Sequence, residues 1–436
     1  MNVESQQVNL SAGLRGEITV PGDKSISHRS VMFASLAQGS SCIRGFLHGE
    51  DNLATLNAFR AMGVDIDASS DAHIKITGKG FFGLSEPAEI LDCGNSGTTM
   101  RLLSGVLAGQ KFFSVLSGDR YLRRRPMGRV IQPLTQMGAQ IWGREQNRCA
   151  PFALQGSPLR GITYHSPVAS AQVKSALLLA GIGASGTTTV YEPHVSRDHT
   201  ERMLRYMGAD VQVFPGGVRI EGGQQLRGRE LEIPGDISSA AFFMVAALIV
   251  PDSELLIKNV GMNPTRSGVV DILRSMGGNI HLLNARHAGE EPVADLLVCS
   301  SELRGIEIGG DMIPRAIDEL PVVSIAAACA QGATTIKDAA ELRVKETDRI
   351  AAMEAVLQTL GVQVETHADG MTIHGCEHFR GGKVQSCGDH RIAMSAAVAG
   401  LRTTTALKIE DTGCTAISFP AFWELLQQVA TPTGKR

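Results

Sequence analysis

The feature that most limits what this 436-residue chain can fold into is a turn-and-helix unit written six times. The copies are "PGDKSISHRSVMFASLA" from Pro21, "CGNSGTTMRLLSGVLAG" from Cys93, "VASAQVKSALLLAG" from Val168, "PGDISSAAFFMVAALIV" from Pro234, "DELPVVSIAAACAQG" from Asp318 and "CGDHRIAMSAAVAGL" from Cys387. They recur roughly every 65–85 residues, the mark of an internally repeated architecture. Each couples small or polar residues to an Ala/Leu/Val/Met-rich run that is apolar nearly all round. Such helices predict burial, with sheets outside them.

A second landmark keeps the same step. "FRAMGVDID", "LTQMGAQIW", "LRYMGADVQV", "LRSMGGNIHL" and "LQTLGVQVE" each predict a helix ending on a glycine cap and turning into an alternating strand. Met62, Met137, Met207, Met276 and Leu360 occupy equivalent places in them. The unit therefore reads helix, strand, helix, strand, strand. Six units divide into two groups of three, and the length favours two domains. The turns at Pro21 and Gly235 mark the crossings, with the N-terminal strand returning to the C-terminal half. This predicts one domain over 21–235, a second over 1–20 plus 236–436, and hinges near 20–22 and 234–236. A cleft between the halves is the default ligand site.

Bulk properties exclude several classes. A net charge of −3 argues against a general nucleic-acid or membrane-surface binder, so any grip on anions must come from local clusters. The longest apolar run, Ala240 to Pro251, is too short to span a bilayer. "MNVESQQVNLSAGLRG" lacks the basic start and apolar core of a secretory signal. Eight cysteines without a CxxC pair fit reduced thiols in a cytoplasm. His194 and His199 have a poor metal-ligand spacing and read as surface histidines.

Two motifs mislead. "GKGFFG" and "GIGASG" match GxGxxG, but the first lies between β-like pieces and the second follows a helix into a strand. A dinucleotide site needs the reverse order. "GDKS" resembles the end of a phosphate-binding loop, yet the leading glycine is missing.

The helix starts carry the chemistry. Unpaired N–H groups and a partial positive charge make any helix start favour anions. Lys24, Ser25 and Arg29 suit a phosphate seat there, and equally a serine-capped helix with solvated cations. Asn95, Ser96, Gly97 and Arg101 form a second such start. "GDRYLRRRPMGR" crowds Arg120, Arg123, Arg124, Arg125 and Arg129 together. Pro126 pushes Arg125 toward extended geometry, suited to bidentate anion binding, whereas the whole run also fits a solvated face. Ser170, Gln172 and Lys174 open the third helix, and Ser196 and Arg197 follow.

In "RVKETDRI", Lys345 and Arg349 predict one helical face with Glu346 beside them. Asp389, His390 and Arg391 open the last helix. Asp318 and Glu319 precede the fifth, either as partners of its positive end or, facing cations, as proton-transfer groups. Independent capping explains each start but not why cations recur at equivalent places. Together they predict a site for a substrate pair with several negative charges.

At these residues the chain resembles the 5-enolpyruvylshikimate-3-phosphate synthase family. "PGDKSISHR", "GNSGTTMR", "RRRPMGR", "ASAQVKSA", "RVKETDR" and "GDHRIAM" match that family's motifs in order, nearly end to end. The resemblance implies a mixed α/β (α+β) fold, a two-domain inside-out α/β barrel. Each domain has three βαβαββ-like repeats, with buried parallel helices and outer sheets, and closes on substrate. It implies an enolpyruvyl transfer from phosphoenolpyruvate to shikimate 3-phosphate, with no metal or cofactor. Also implied are no nucleic-acid or membrane partner, a monomer and a cytoplasmic site.

By resemblance, Lys24, Ser25 and Arg29 hold the substrates, and Ser170, Gln172, Ser196 and Arg197 lie on shikimate 3-phosphate. Asn95, Gly97, Arg125, Gln172, Lys345, Arg349 and Arg391 lie around phosphoenolpyruvate. Asp318 acts as base on the 5-hydroxyl, Glu346 handles the methylene proton, and Lys24 also counts as catalytic. The pattern departs at Ile417, where relatives carry a lysine, and at Ala171, where some carry a hydroxyl. A UDP-N-acetylglucosamine enolpyruvyl transferase would show a cysteine in the loop from Arg120 to Arg129, and none is there. An RNA 3′-phosphate cyclase, which shares the repeat unit, would show a more basic surface.

Overall fold

A computed structural model describes residues 4–70 and 72–432. All six predicted apolar helices form: Lys24–Leu36, Gly97–Ala108, Ala171–Gly183, Ile237–Ile249, Leu320–Ala328 and His390–Gly400. Three of them, those from Ile237, Leu320 and His390, are buried at every residue. A helix without a polar stripe has no face to offer water, so it becomes the centre of a layer structure rather than its surface.

The chain divides into two compact units. One comprises residues 22–233 with 288–291; the other comprises 1–21, 234–287 and 292–436. Each has its own apolar core. In the first unit, the helices Gly97–Ala108 and Ala171–Gly183 pack closely. Gly105 permits this, because a Cβ there would lie 2.1 Å from the Ala176 carbonyl oxygen. In the second, the Phe243 ring packs at a tilt, 5.9 Å from both Phe419 and Phe422. Each such buried ring contributes roughly 1.5–3 kcal/mol over its exposed state.

The described strands form six sheets. The strand preceding a buried helix lies parallel to the strand following it, as in Leu91–Asp92 with Phe113–Ser117 and Glu307–Ile308 with Ala333–Ile336. In five repeats a second helix then leads into an antiparallel pair, completing βαβαββ. Five of these second helices end before Gly63, Gly138, Gly208, Gly277 or Gly361, with φ between +81° and +104°. That left-handed conformation is the reason glycine stands there. The strands alternate buried and exposed positions, so one face of each sheet covers the core.

The leading strands of two repeats are exchanged. Ser11–Thr19 precedes the helix from Lys24 but pairs with Glu254–Gly261, which follows the helix from Ile237. Conversely, Glu230–Glu232 precedes the helix from Ile237 but pairs with Gln38–Arg44. The chain thus crosses twice, and Asp236 N–H donates to the Pro21 carbonyl at 2.8 Å beside one crossing.

Candidate active site

In the unit from Gly22, Asp23 caps the first helix by accepting from Ile26 N–H at 2.8 Å. Lys24 begins the helix with its Nζ 3.2 Å from Asp51. Asn52 donates to the Lys24 carbonyl. Arg29 is 3% exposed and donates to three groups: Thr200 Oγ1 and Ser175 Oγ, both at 2.7 Å, and the Ser25 carbonyl at 3.0 Å. It ties Lys24 and Ser25 to the helix that carries Ser170 and Gln172. Burial lowers the Arg29 pKa to about 10, and Arg197 adds to the fall, against the opposing pull of Glu201, Asp23 and Glu291.

A hydroxyl chain runs beneath. His28 Nδ1 meets Thr55 Oγ1, Thr55 meets Thr99, and Thr99 donates to Ser96, each at 2.7 Å. Ser96 also caps its helix by accepting from Thr99 N–H. The helix starts of Lys24 and Gly97 are therefore locked together. Burial, then the charges of Lys24 and Arg29, keep His28 neutral well below the ordinary imidazole range.

The second start gathers Asn95, Gly97, Arg101, Arg125 and Gln172. Arg125 is extended ahead of Pro126, as its sequence predicts, and donates to Asn95 at 2.9 Å. Asn95 donates in turn to Asp119 at 2.7 Å. Arg101 donates to the Gln172 carbonyl oxygen and to Pro126 O, and Gln172 donates to Thr98. The ends of Arg125 and Arg101 lie 3.2 and 3.3 Å from where a Cβ on Gly97 would sit. Arg120, Arg123 and Arg124 are exposed, as a solvated run would be, whereas Arg125 is half-buried beside Asn95.

Ser170 caps the third helix by accepting from Val173 N–H. Lys174 is buried between Glu192 at 2.9 Å and Glu201 at 2.8 Å; desolvation opposes its charge, but these carboxylates outweigh it and raise its pKa. The buried Ser196 donates to Glu192 at 2.6 Å, and Arg197 is half-buried nearby. His199 corrects the surface-histidine expectation. It is buried, with Nδ1 2.7 Å from Glu291, because residues 288–291 fold onto this unit.

The other unit builds a carboxylate-rich cluster around Arg349, which is 1% exposed. Its Nε donates to Asp389 at 2.8 Å, its Nη2 to Glu346 at 2.7 Å, and its Nη1 reaches Asp318 at 3.4 Å. Lys345 Nζ lies 3.2 Å from the same Asp318 oxygen, and Arg391 donates to the Asp318 main-chain carbonyl at 2.9 Å. Burial alone would lower the Arg349 pKa, but Asp389, Glu346 and Asp318 together hold it above its ordinary value. All five residues predicted here, Asp318, Lys345, Glu346, Arg349 and Arg391, are thus brought together.

One local expectation fails. Lys345 and Arg349 do not share a helical face: Lys345 is extended and the helix begins at Arg349. Asp348 stops helix propagation backward by capping Ile350 and Ala351 N–H. Glu319, the residue before the helix from Leu320, makes no side-chain cap on it. Asp318 is engaged by cations instead. Ile417 lies half-buried at the end of a 3-10 turn, Thr412–Ile417. Asp51, Asp119 and Thr200 were not foreseen. No local pattern announces them, because each meets its partner across 24 or more residues of chain, and Thr200 does so from another repeat.

Among the described residues no His/Cys/Asp/Glu group could hold a metal ion, and no helix is long and apolar enough to cross a membrane. All eight cysteines are free.

This is the fold of the enolpyruvyl transferases. The solved structure of one, NikO from Streptomyces tendae, aligns at a TM-score of 0.79 over 97% of this chain and 96% of its own, at 18% identity. The EPSP synthase (3-phosphoshikimate 1-carboxyvinyltransferase) family model matches residues 8–426. A 3-phosphoshikimate 1-carboxyvinyltransferase of Syntrophotalea carbinolica is 62% identical over 426 residues, 98% of this chain and 99% of that protein. One from Geotalea uraniireducens is 60% identical over 430 residues, 99% and 100% of the two chains. The solved EPSP synthase of Acinetobacter baumannii aligns at a TM-score of 0.89 and 47% identity, over 98% of each chain. The chain belongs to the EPSP synthase family.

Proposed function

We propose that the chain transfers the enolpyruvyl group of phosphoenolpyruvate to the 5-hydroxyl of shikimate 3-phosphate and releases phosphate. The family match over residues 8–426 carries this reading. In the addition step the 5-oxygen bonds to C2 of phosphoenolpyruvate. The hydroxyl loses its proton while the C3 methylene gains one. In the elimination step C3 returns a proton and the C2–O bond to phosphate breaks.

The cluster around Arg349 supplies the groups this chemistry needs. Asp318 takes the hydroxyl proton, and Glu346 delivers the proton to C3 and recovers it. Both carboxylates contact Arg349, at 3.4 and 2.7 Å, which fixes their orientation. Lys345, Arg349 and Arg391 face the acidic groups of phosphoenolpyruvate. Residues 21–235 act as the shikimate-phosphate domain, through Lys24, Ser25, Arg29, Ser170, Gln172, Ser196 and Arg197. Asn95, Gly97, Arg125 and Gln172 serve phosphoenolpyruvate from the same unit. Fixed cations hold two anions that otherwise repel each other, which converts an unfavourable encounter into an ordered one. We place this activity in a cytoplasmic monomer that needs neither metal nor organic cofactor.

A coupled phosphate-release assay with both substrates tests the reading. Release that depends on shikimate 3-phosphate supports it. Release with UDP-N-acetylglucosamine in its place overturns it.

A further inference from the structure

Glu319 follows the proposed base directly, yet its side chain points elsewhere and no step above uses it. It is 0% exposed on its side chain. Its Oε1 accepts from the Ser238 hydroxyl and lies 3.7 Å from Arg266 Nη2 and 3.8 Å from Arg391 Nη1. Its Oε2 is buried and receives no hydrogen bond from a described residue. Arg266, itself buried, donates to Ser238 at 2.6 Å and to Asp236 at 3.2 Å. Asp236 caps the buried helix from Ile237. Glu319 is therefore a buried anion held between two cations, one anchored to the core helix start and one, Arg391, in the proposed substrate set.

A buried carboxylate costs several kcal/mol unless it is paired, so a fold that keeps one here needs its charge. Arg391 has two handles on this short segment: Glu319 Oε1 and the Asp318 carbonyl. Both contacts are made by Nη1, so they hold that end of the guanidinium against residues 318–319, and the hydrogen bond at 2.9 Å ties it to the main chain that carries the Asp318 carboxylate.

We propose that Glu319 is a positioning residue for the reaction: it orients Arg391 toward phosphoenolpyruvate and, through the Asp318 carbonyl, steadies the base. The proposal rests on the site reading above. Losing the Glu319 charge by itself would strengthen the pull of Arg391 on an anion and lower KM for phosphoenolpyruvate. Losing orientation would raise it. The sign separates the two.

The experiment compares Glu319→Gln, Glu319→Asp, Asp318→Asn and Arg391→Lys by steady-state kinetics and thermal unfolding. For Glu319→Gln the expected result is about a tenfold rise in KM for phosphoenolpyruvate and a similar fall in kcat, with KM for shikimate 3-phosphate within about twofold. Glu319→Asp keeps the charge and should recover part of the loss at similar Tm. An unchanged or lowered KM for phosphoenolpyruvate in Glu319→Gln overturns the proposal, as does an equal rise in both KM values. Asp318→Asn should cut kcat roughly a hundredfold or more. If it and Arg391→Lys are both silent, the site reading fails. If both cost activity while the Glu319 variants match the parent, only this inference fails.

Discussion

Arg29 lies in the second turn of a core helix in one unit and Arg349 at the first position of a second helix in the other, and both are almost without solvent. Their surroundings differ. Arg349 sits among Asp389, Glu346 and Asp318, which more than compensate its desolvation. Arg29 donates to two hydroxyls and a carbonyl, and its pKa sinks to about 10. A buried cation left under-compensated gains from an arriving anion, whereas one already matched by carboxylates holds those carboxylates in place. The two buried guanidiniums thus differ in what they contact: hydroxyls and a carbonyl for Arg29, three carboxylates for Arg349.

Removing Arg349 should have the largest effect. Arg349→Met leaves Asp389, which is wholly buried, without its guanidinium partner. Stranding a buried charge costs about 3–5 kcal/mol, to be read from urea unfolding alongside a near-complete loss of turnover. A variant of parental stability would break the comparison at once.

Arg29→Met should behave oppositely. Ser175 and Thr200 already share a hydrogen bond at 2.6 Å and keep each other satisfied when the guanidinium is gone. The fold should survive with Tm shifted by only a few degrees, while affinity for shikimate 3-phosphate falls roughly 10- to 100-fold, the worth of charge-assisted hydrogen bonds to phosphate. Calorimetric titration checks this. Intact affinity would show that Arg29 serves only the scaffold.

The smallest effect concerns the neutral His28 beneath Arg29. Its pKa in the native chain lies well below the value near 6.5 expected when unfolded. Above that value neither state holds the proton, so nothing is lost. Below it the unfolded chain binds a proton that the native chain refuses, and stability falls by at most ~1.4 kcal/mol per pH unit. Denaturation curves between about pH 6.5 and 5 should show this slope, and His28→Asn should flatten it. An equal slope in both proteins would remove His28 as the cause.

What the chain determines by itself is local. Six polar turns before apolar runs, five glycines that end helices, and Pro126 holding Arg125 extended all act within a few residues, where sterics and capping suffice. The helix does not run back through Lys345, because the Asp348 cap at its start outweighs the side-chain spacing. Burial all round the core helices was also legible, since they lack any polar face.

Only the tertiary structure decided which charges meet. Arg29 finds Thr200 171 residues later, Lys24 finds Asp51 27 residues away, and Arg391 reaches back 73 residues to the Asp318 carbonyl. Whether Lys174 faces an anion or is consumed by Glu192 and Glu201 was equally undecidable from its own helix. Electrostatic free energy depends on distance and on exclusion of water, and both are set when segments far apart in the chain pack together.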